Sequence, residues 1–425
     1  MSGRIALVMF LCLATCAPSA DAARRKGREP ATLADLATRT APLRRDEPVQ
    51  ADATQAAQSY QDFLAIEDAD AGMRAQALRR VGDLKLAAAE ALTAEEGPVP
   101  ETASGLARAA IATYGQLLTE QPDYPATDAV LYQLARGHEI AGEPSEALAM
   151  LDRLVTGHPR SAYYDEAQFR RGEAFFSAQR YADAERAYAA VLARESGSGF
   201  RQQALYKHGW ALFKQSRDEE SSASFLALLD AVLVKDGELR PAGELARAEQ
   251  ELADDALRAL AITFAATEGP ASLQAAVVRH GPSVYESRLY RALGDLYVEK
   301  ERYQDGADAY RAYAKRQPMD PEAPLLLVRA TEAYAKGGFA SLVLDGKREL
   351  VEVYGPKSAF WQANRGRIDP TVSTAVRTNL LDLARHHHSL AQKSGAAGER
   401  DTAVRWYRDF LDGFDDSPEA PATRL

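Results

Sequence analysis

The sequence predicts an all-α solenoid, a row of antiparallel helix pairs in which each pair stacks on the next. Three observations carry this. A small-bulky-bulky pattern recurs at fixed 37-residue steps. The runs that hold it are rich in Ala and show a helical hydrophobic period. Alternating Val/Ile/Thr runs, the mark of half-buried strands, are missing from them.

Within the repeat, Ala110, Ala147, Ala184 and Ser221 follow one another at steps of 37. Four residues after each come Tyr114, Leu151, Tyr188 and Phe225, and three further on Leu117, Leu154, Val191 and Leu228. Such spacing puts all three on one stripe of a helix. The preceding helix keeps the same step through Ala135, Gly172 and Gly209, where a small residue lets the second helix cross closely over the backbone. Pro122 and Pro159 punctuate two units. One such hairpin cannot bury its apolar stripe alone, so neighbours must stack.

These residues resemble the tetratricopeptide repeat family, whose unit has a small residue in its leading helix, a small-x3-aromatic pair in its trailing helix and a closing proline. The matches are Gly172 with Ala184 and Tyr188, Gly209 with Ser221 and Phe225, and Ala135 with Ala147, Leu151 and Pro159. A later unit fits through Leu293, Gly294, Tyr297, Tyr303, Gly306, Tyr310 and Pro318. The resemblance runs over about residues 75 to 415. The period is 37 rather than the family's 34, and the small residue is Ala rather than Gly in one unit. What it implies is a right-handed superhelix and a protein-binding scaffold. The longer period and the wording HPRSAYYDEAQFRRGEAFF look like envelope members, adaptors for outer-membrane assembly and for coordinating division.

From the amino terminus, residues 1–22 read as a signal peptide. Arg4 precedes an apolar run from Ile5 to Ala14, and Ala20-Asp21-Ala22 gives a small-x-small cleavage site. The run is shorter than the ~20 residues of a spanning helix, and no other segment reaches that length. Cleavage after Ala22 would remove both cysteines, Cys12 and Cys16. A second reading takes Leu13-Ala14-Thr15-Cys16 as a lipobox with Cys16 lipidated, although Thr departs from the usual small residue there. Residues 23–54 hold ARRKGRE and APLRRDEP without an apolar period and are expected to be a flexible leader. Its basic start offers a contact with anionic lipid or cell wall.

TPR-like repeats are expected over 55–230. The leading helix of their first unit lies near 75–91, and an insertion, TAEEGPVPETASG, precedes its trailing helix at 106–118. Residues 231–288 break the register with a DGELRPAGE loop and helices near 245–267 and 272–280. Repeats resume over 289–425, through a weak unit at 325–354, a loop at GPKSAFWQANRGRIDP and a final pair at 376–393 and 400–414. The closing DDSPEAPATRL resembles the connector QPMDPEAPLLL, so the chain is expected to be the N-terminal part of a longer repeat protein.

Little in the sequence points to chemistry. RESGSG (194–199) offers a Glu-Ser pair of the kind used by lytic transglycosylases, but a Gly/Ser linker lacks the apolar pocket that raises a carboxylate pKa. His386-His387-His388 point about 100° apart on a helix and cannot chelate from one face. Neither a phosphate-cradling glycine loop nor a nucleophile elbow occurs. No enzyme activity, cofactor or metal is expected. A net charge of −10 speaks against a general nucleic-acid binder.

The family's partner surface is its inner face, built from leading-helix residues around the small position. Carried over position by position, this implies Tyr132 and Arg136, then Phe169, Glu173 and Phe176, then Tyr206, Trp210, Phe213 and Lys214. Aromatic and Arg residues there suit binding anchors; the plainer alternative is that some of these rings pack between repeats. The Lys/Asn/Arg set with which some members clamp a C-terminal carboxylate is not seen. The expected protein is a periplasmic scaffold for other envelope proteins, not membrane-spanning, with an outer-membrane lipoprotein as the alternative localisation. The alternative function is a peptidoglycan- or glycan-associated envelope factor, since aromatic grooves also stack sugars.

Overall fold

The computed structural model describes residues 53–66, 68–93, 98–194 and 198–424. The signal peptide with Cys16, the leader up to residue 52, and Glu195 and Ser196 of the RESGSG string lie outside the described residues. The chain divides into two units at Ala56, and the second, Ala57–Leu425, holds the repeats.

The first described helix, α1 (Ala53–Leu64), leads into this second unit. Four helix pairs come after it: α2 (Ala71–Leu92) with α3 (Glu101–Glu120), α4 (Thr127–Ala141) with α5 (Pro144–Gly157), α6 (Tyr164–Ser177) with α7 (Tyr181–Leu192), and α8 (Arg201–Phe213) with α9 (Asp218–Leu233). Then come a small hairpin, β1 (Val234–Lys235) and β2 (Glu238–Leu239), a 3₁₀ turn, α10 (Arg247–Ala265) and α11 (Pro270–His280). The pairs resume with α12 (Glu286–Glu299) and α13 (Tyr303–Arg316), α14 (Ala323–Lys336) and α15 (Ala340–Tyr354), the short α16 (Ala359–Ala363), and α17 (Pro370–Ser394) with α18 (Ala397–Gly413), before α19 (Ala420–Thr423). Most helices pack mainly on their chain neighbours, as in a quasi-one-dimensional array, whereas α10 packs on α9 and, past α11, on α12. The fold is an all-α, TPR-like solenoid.

The repeat positions are the core. Ala110, Ala147, Ala184 and Ser221 are buried, as are the bulky residues four and seven further on. The hydroxyl of Ser221 donates to the carbonyl of Gly209, so the one polar residue of the set is satisfied at the crossing.

Backbone geometry repeats as well. Gly142, Gln179, Ser216, Glu301 and Gly338 end five leading helices in the left-handed conformation, at φ 76°, 60°, 57°, 59° and 75°. The next amide in each case reaches back to the last turn, for example Arg180 N to Phe175 O at 2.8 Å, which closes a Schellman turn. Three of the five are not glycine, so the geometry is imposed by the packing of both flanking helices.

At four of the crossings a ring lies over a glycine. A Cβ on Gly82, Gly172 or Gly294 would meet the ring of Tyr114, Tyr188 or Tyr310 at 2.5, 2.3 and 2.3 Å, and one on Gly209 would meet Phe225 at 2.8 Å. Where the ring becomes Leu151 the small residue becomes Ala135, because the thinner side chain leaves room for a methyl. The next residue follows the same logic. Asp83, Glu173 and Asp295 stand directly after the glycines that face tyrosines and accept those hydroxyls: Tyr114 to Asp83 at 2.7 Å, Tyr188 to Glu173, Tyr310 to Asp295 at 2.6 Å. Phe225 has no hydroxyl to offer, and Trp210 replaces the acid. Burial and the adjacent carboxylate both hold the Tyr114, Tyr188 and Tyr310 hydroxyls well above the usual phenol pKa.

The departures from the expected layout have local causes. The insertion of the first unit is not all loop: it lengthens both helices, giving α2 22 residues and α3 20, against 14 for α6 and 12 for α7. Residue Asp70 caps α2 by accepting from Met73 N at 2.9 Å. The start of the DGELRPAGE loop is a two-residue hairpin, with Asp236 and Gly237 at φ 54° and 83°, the conformation that an Asp-Gly turn provides. Arg240 then fastens it, binding Val232 O at 2.8 Å and Glu249 at 3.0 Å. Inside the expected 355–370 loop, Ser358 caps α16, whose Phe360 ring packs edge-on against Tyr354. The register break does not interrupt the core: one apolar cluster runs from Leu205 through α10 and α11 to Ala420.

Candidate partner-binding groove

Leading helices are tied in sequence by ion pairs. Glu90 of α2 meets Arg136 of α4 at 2.5 Å, Glu139 of α4 meets Arg170 of α6 at 2.7 Å, and Glu173 of α6 meets Lys207 of α8 at 2.8 Å. Farther on, Asp295 of α12 meets Arg329 of α14 at 3.2 Å. Pairs this exposed are worth only about 0–1 kcal/mol each, so they set the orientation of side chains rather than the stability of the array.

The nine residues implied as one continuous inner lining separate into three groups. In the first, Tyr132 is only 6% exposed; its ring stacks on Tyr163 at 4.6 Å and its hydroxyl donates to Glu166 at 2.6 Å. Burial and that carboxylate push its pKa up to about 12. Arg136 lies beside this ring and is held by Glu90. Tyr132 is thus taken up by packing, while Arg136 keeps a partly exposed guanidinium already paired with Glu90.

The second group is the open one. A groove of about 700 Å³ runs between α4, α5 and α6, with Phe169, Phe200 and Leu148 as apolar lining and Glu139, Arg170 and Glu173 as polar groups. Phe169 is half-buried, 5.5 Å from the Phe200 ring and 5.8 Å from Tyr188. Glu173 is spoken for by the Tyr188 hydroxyl and by Lys207, so it buttresses the groove wall. Small exposed residues, Ser145, Ser177 and Ala178, line it too and leave it accessible. Phe176 is not part of the lining; it lies edge-on to Tyr181 at 5.3 Å, with Lys207 over its ring at 5.7 Å.

In the third group Trp210 is packed edge-on against Tyr206, Phe213 and Phe225 at 6.3, 5.5 and 5.7 Å. All three α8 rings are half-buried, while Lys214 is exposed. The cluster stands where the register breaks after α9, and much of the Trp210 surface is used in packing.

Several lining residues were missed by reasoning from the leading helices alone. Leu148 comes from a trailing helix and Phe200 from the residue before α8. The rung cations were legible: Arg170 and Lys207 each stand two residues before the crossing glycine. Of the histidine run, His387 pairs with Glu399 at 2.6 Å and His388 approaches Tyr407, so these two engage α18, while His386 is exposed. Among the described residues no helix is long and apolar enough to cross a membrane.

No family model and no curated protein sequence matches this chain. Solved structures to which it is similar include the C-terminal part of a TPR repeat-containing protein from Cytophaga hutchinsonii, with 13% identity over 69% of this chain and 99% of that one and a TM-score of 0.28. The Naa15/Naa10 complex bound to HypK-THB aligns with 14% identity over 87% of this chain and 54% of that one, at a TM-score of 0.33. The P58(IPK) TPR domain aligns with 12% identity over 80% and 96%, at 0.21. Superpositions this loose carry no functional argument, and the TPR-like assignment rests on the crossing glycines, Schellman turns and 37-residue step of the chain itself.

Proposed function

We propose that this chain is a non-enzymatic interaction scaffold of the bacterial cell envelope that seats a segment of a protein partner in the groove between α4, α5 and α6. The single observation behind this is the combination found there: a concavity of about 700 Å³ with a phenylalanine pair on its lining, polar groups already fixed by ion pairs, and small exposed residues that leave it open. Apolar grooves with a few convergent polar groups are the usual seats for ligands and peptides. The export reading of residues 1–22 supports the envelope setting, with Cys16 as the lipidation site if the lipobox is used. N-terminal sequencing of the envelope-fraction protein tests this part: Ala23 fits plain cleavage, and a lipid-modified Cys16 fits the anchored form.

Filling the groove without removing a packed side chain tests the binding part. Ser177 is exposed and lines it, so Ser177→Trp is expected to abolish capture of the native partner from intact envelopes while leaving the melting temperature within about 1 °C. Capture undiminished by the substitution would refute the assignment. Capture of purified cell wall in place of protein, lost in the same variant, would move the groove to the glycan-binding alternative.

A further inference from the structure

Among the described residues, half-buried arginines are matched with carboxylates, as Arg171 is with Asp152, Arg240 with Glu249, Arg311 with Glu349 and Arg377 with Glu419. Two are exceptions. Arg288 and Arg291 of α12 are half-buried, three residues apart and so on one face, and neither has an ion-pair partner. With Leu257 and Ala261 of α10, and Leu296, they line a cleft of about 270 Å³. Burial, with the like charge of Arg291 added, pulls the Arg288 guanidinium below its ordinary pKa.

The nearby acids do not resolve this. Asp295 is engaged by the Tyr310 hydroxyl and by Arg329, and Glu299 by Arg258 and Lys300. Asp254 and Glu322 act on Arg288 only from a distance. The usual rung is missing here for a sequence reason. Arg170 and Lys207 stand two residues before their crossing glycines, whereas Ala292 occupies that place before Gly294. The cations sit at other positions, where no described acid comes within ion-pair distance of them.

We propose that Arg288 and Arg291 receive a carboxylate side chain, Glu or Asp, of a polypeptide segment lying across α10 and α12. Partly desolvated like charges without a partner are costly, and a carboxylate between two guanidinium groups makes charge-assisted, bidentate hydrogen bonds. The aliphatic walls at Leu257, Ala261 and Leu296 suit the methylenes and neighbours of an acidic side chain. Asp254, Asp295 and Glu299 on the cleft repel a polyphosphate, which needs a basic face, but tolerate one carboxylate. This second contact rests on the reading that the chain binds protein segments, though not on the groove at Phe169.

The test uses the full chain and two fluorescein-labelled peptides, repeats of Glu-Ala-Leu and of Gln-Ala-Leu, both amidated at the C-terminus so that only side chains carry charge. Anisotropy at low ionic strength is expected to show the Glu peptide binding at least about tenfold tighter. Arg288→Gln/Arg291→Gln is expected to erase that preference without lowering the melting temperature, because the removed charges had no partner. Equal binding of the two peptides, a preference that survives in the double variant, a melting temperature lowered by several degrees, or a stronger preference for a phosphoserine peptide would each overturn the proposal. Ser177→Trp separates the two readings. Partner capture that survives this substitution refutes the Phe169 groove alone, and discrimination lost only through the arginines upholds this one.

Discussion

The crossing of α6 over α7 permits a quantitative prediction. A methyl on Gly172 would lie 2.3 Å from Cε1 of Tyr188, and a buried ring cannot yield as a flexible chain end would. Gly172→Ala gains about 1 kcal/mol of helix propensity but meets an overpacking cost of about 1–3 kcal/mol; the net expectation is destabilisation by about 1 kcal/mol. Tyr188→Leu alone removes the ring and its charge-assisted bond to Glu173, costing about 3 kcal/mol. The neighbouring unit already shows how the two changes fit together, since Ala135 sits under Leu151 there. The double variant is therefore expected to be no less stable than Tyr188→Leu alone, a coupling of about 1–2 kcal/mol in its favour. Urea denaturation followed by circular dichroism measures all four corners of the cycle. Coupling within about 0.5 kcal/mol of zero would refute the pairing of small residue and ring.

Other consequences follow from single contacts. Glu286 is buried and meets Arg316 at 2.5 Å; Arg316→Ala, which strands that carboxylate, is expected to cost about 3–5 kcal/mol in the same assay, and a loss below about 1 kcal/mol would show the pair to be solvated. Burial holds several tyrosine hydroxyls above their ordinary pKa, Tyr290 at about 12 and Tyr114, Tyr188, Tyr285 and Tyr313 well up in the same direction. A folded value above the unfolded one near 10 contributes stability that is complete below pH 10 and lost as pH rises through the folded values. The melting temperature should thus fall above about pH 10, and tyrosines titrating at pH 10 in the intact fold, read by ultraviolet difference absorbance, would contradict it. Trp210→Ala is expected to cost about 1–2 kcal/mol because three rings hold the indole; unchanged melting would return Trp210 to the set of free binding residues.

How much of this was readable in advance depends on what each residue contacts. The 37-residue step exposed the crossings, because Gly172, Ala184 and Tyr188 are constrained by near neighbours in the chain and recur wherever the pair recurs. The acid after the crossing glycine was legible in the same way, yet Glu173 read alone looked like a residue offered to a partner. Only its bond from Tyr188, and the absence of both acid and hydroxyl at Trp210 and Phe225, show it to be part of the crossing. The hairpin at Asp236-Gly237 was announced by its dipeptide, a local signal that the register break concealed. The groove itself was not legible: Leu148 belongs to another helix and Phe200 to the turn before α8, and a concavity depends on how several elements lie together rather than on any spacing along one of them.

Residue-specific photocrosslinking in intact cells tests the central claim most directly. A photoreactive side chain at Ser177, inside the groove, is compared with one at Arg186, exposed on α7. The account predicts one dominant crosslinked protein from position 177 and none of it from 186, with the crosslink formed through the groove face of α6. Equal yields of the same product from both positions, or no protein product from 177, would contradict it.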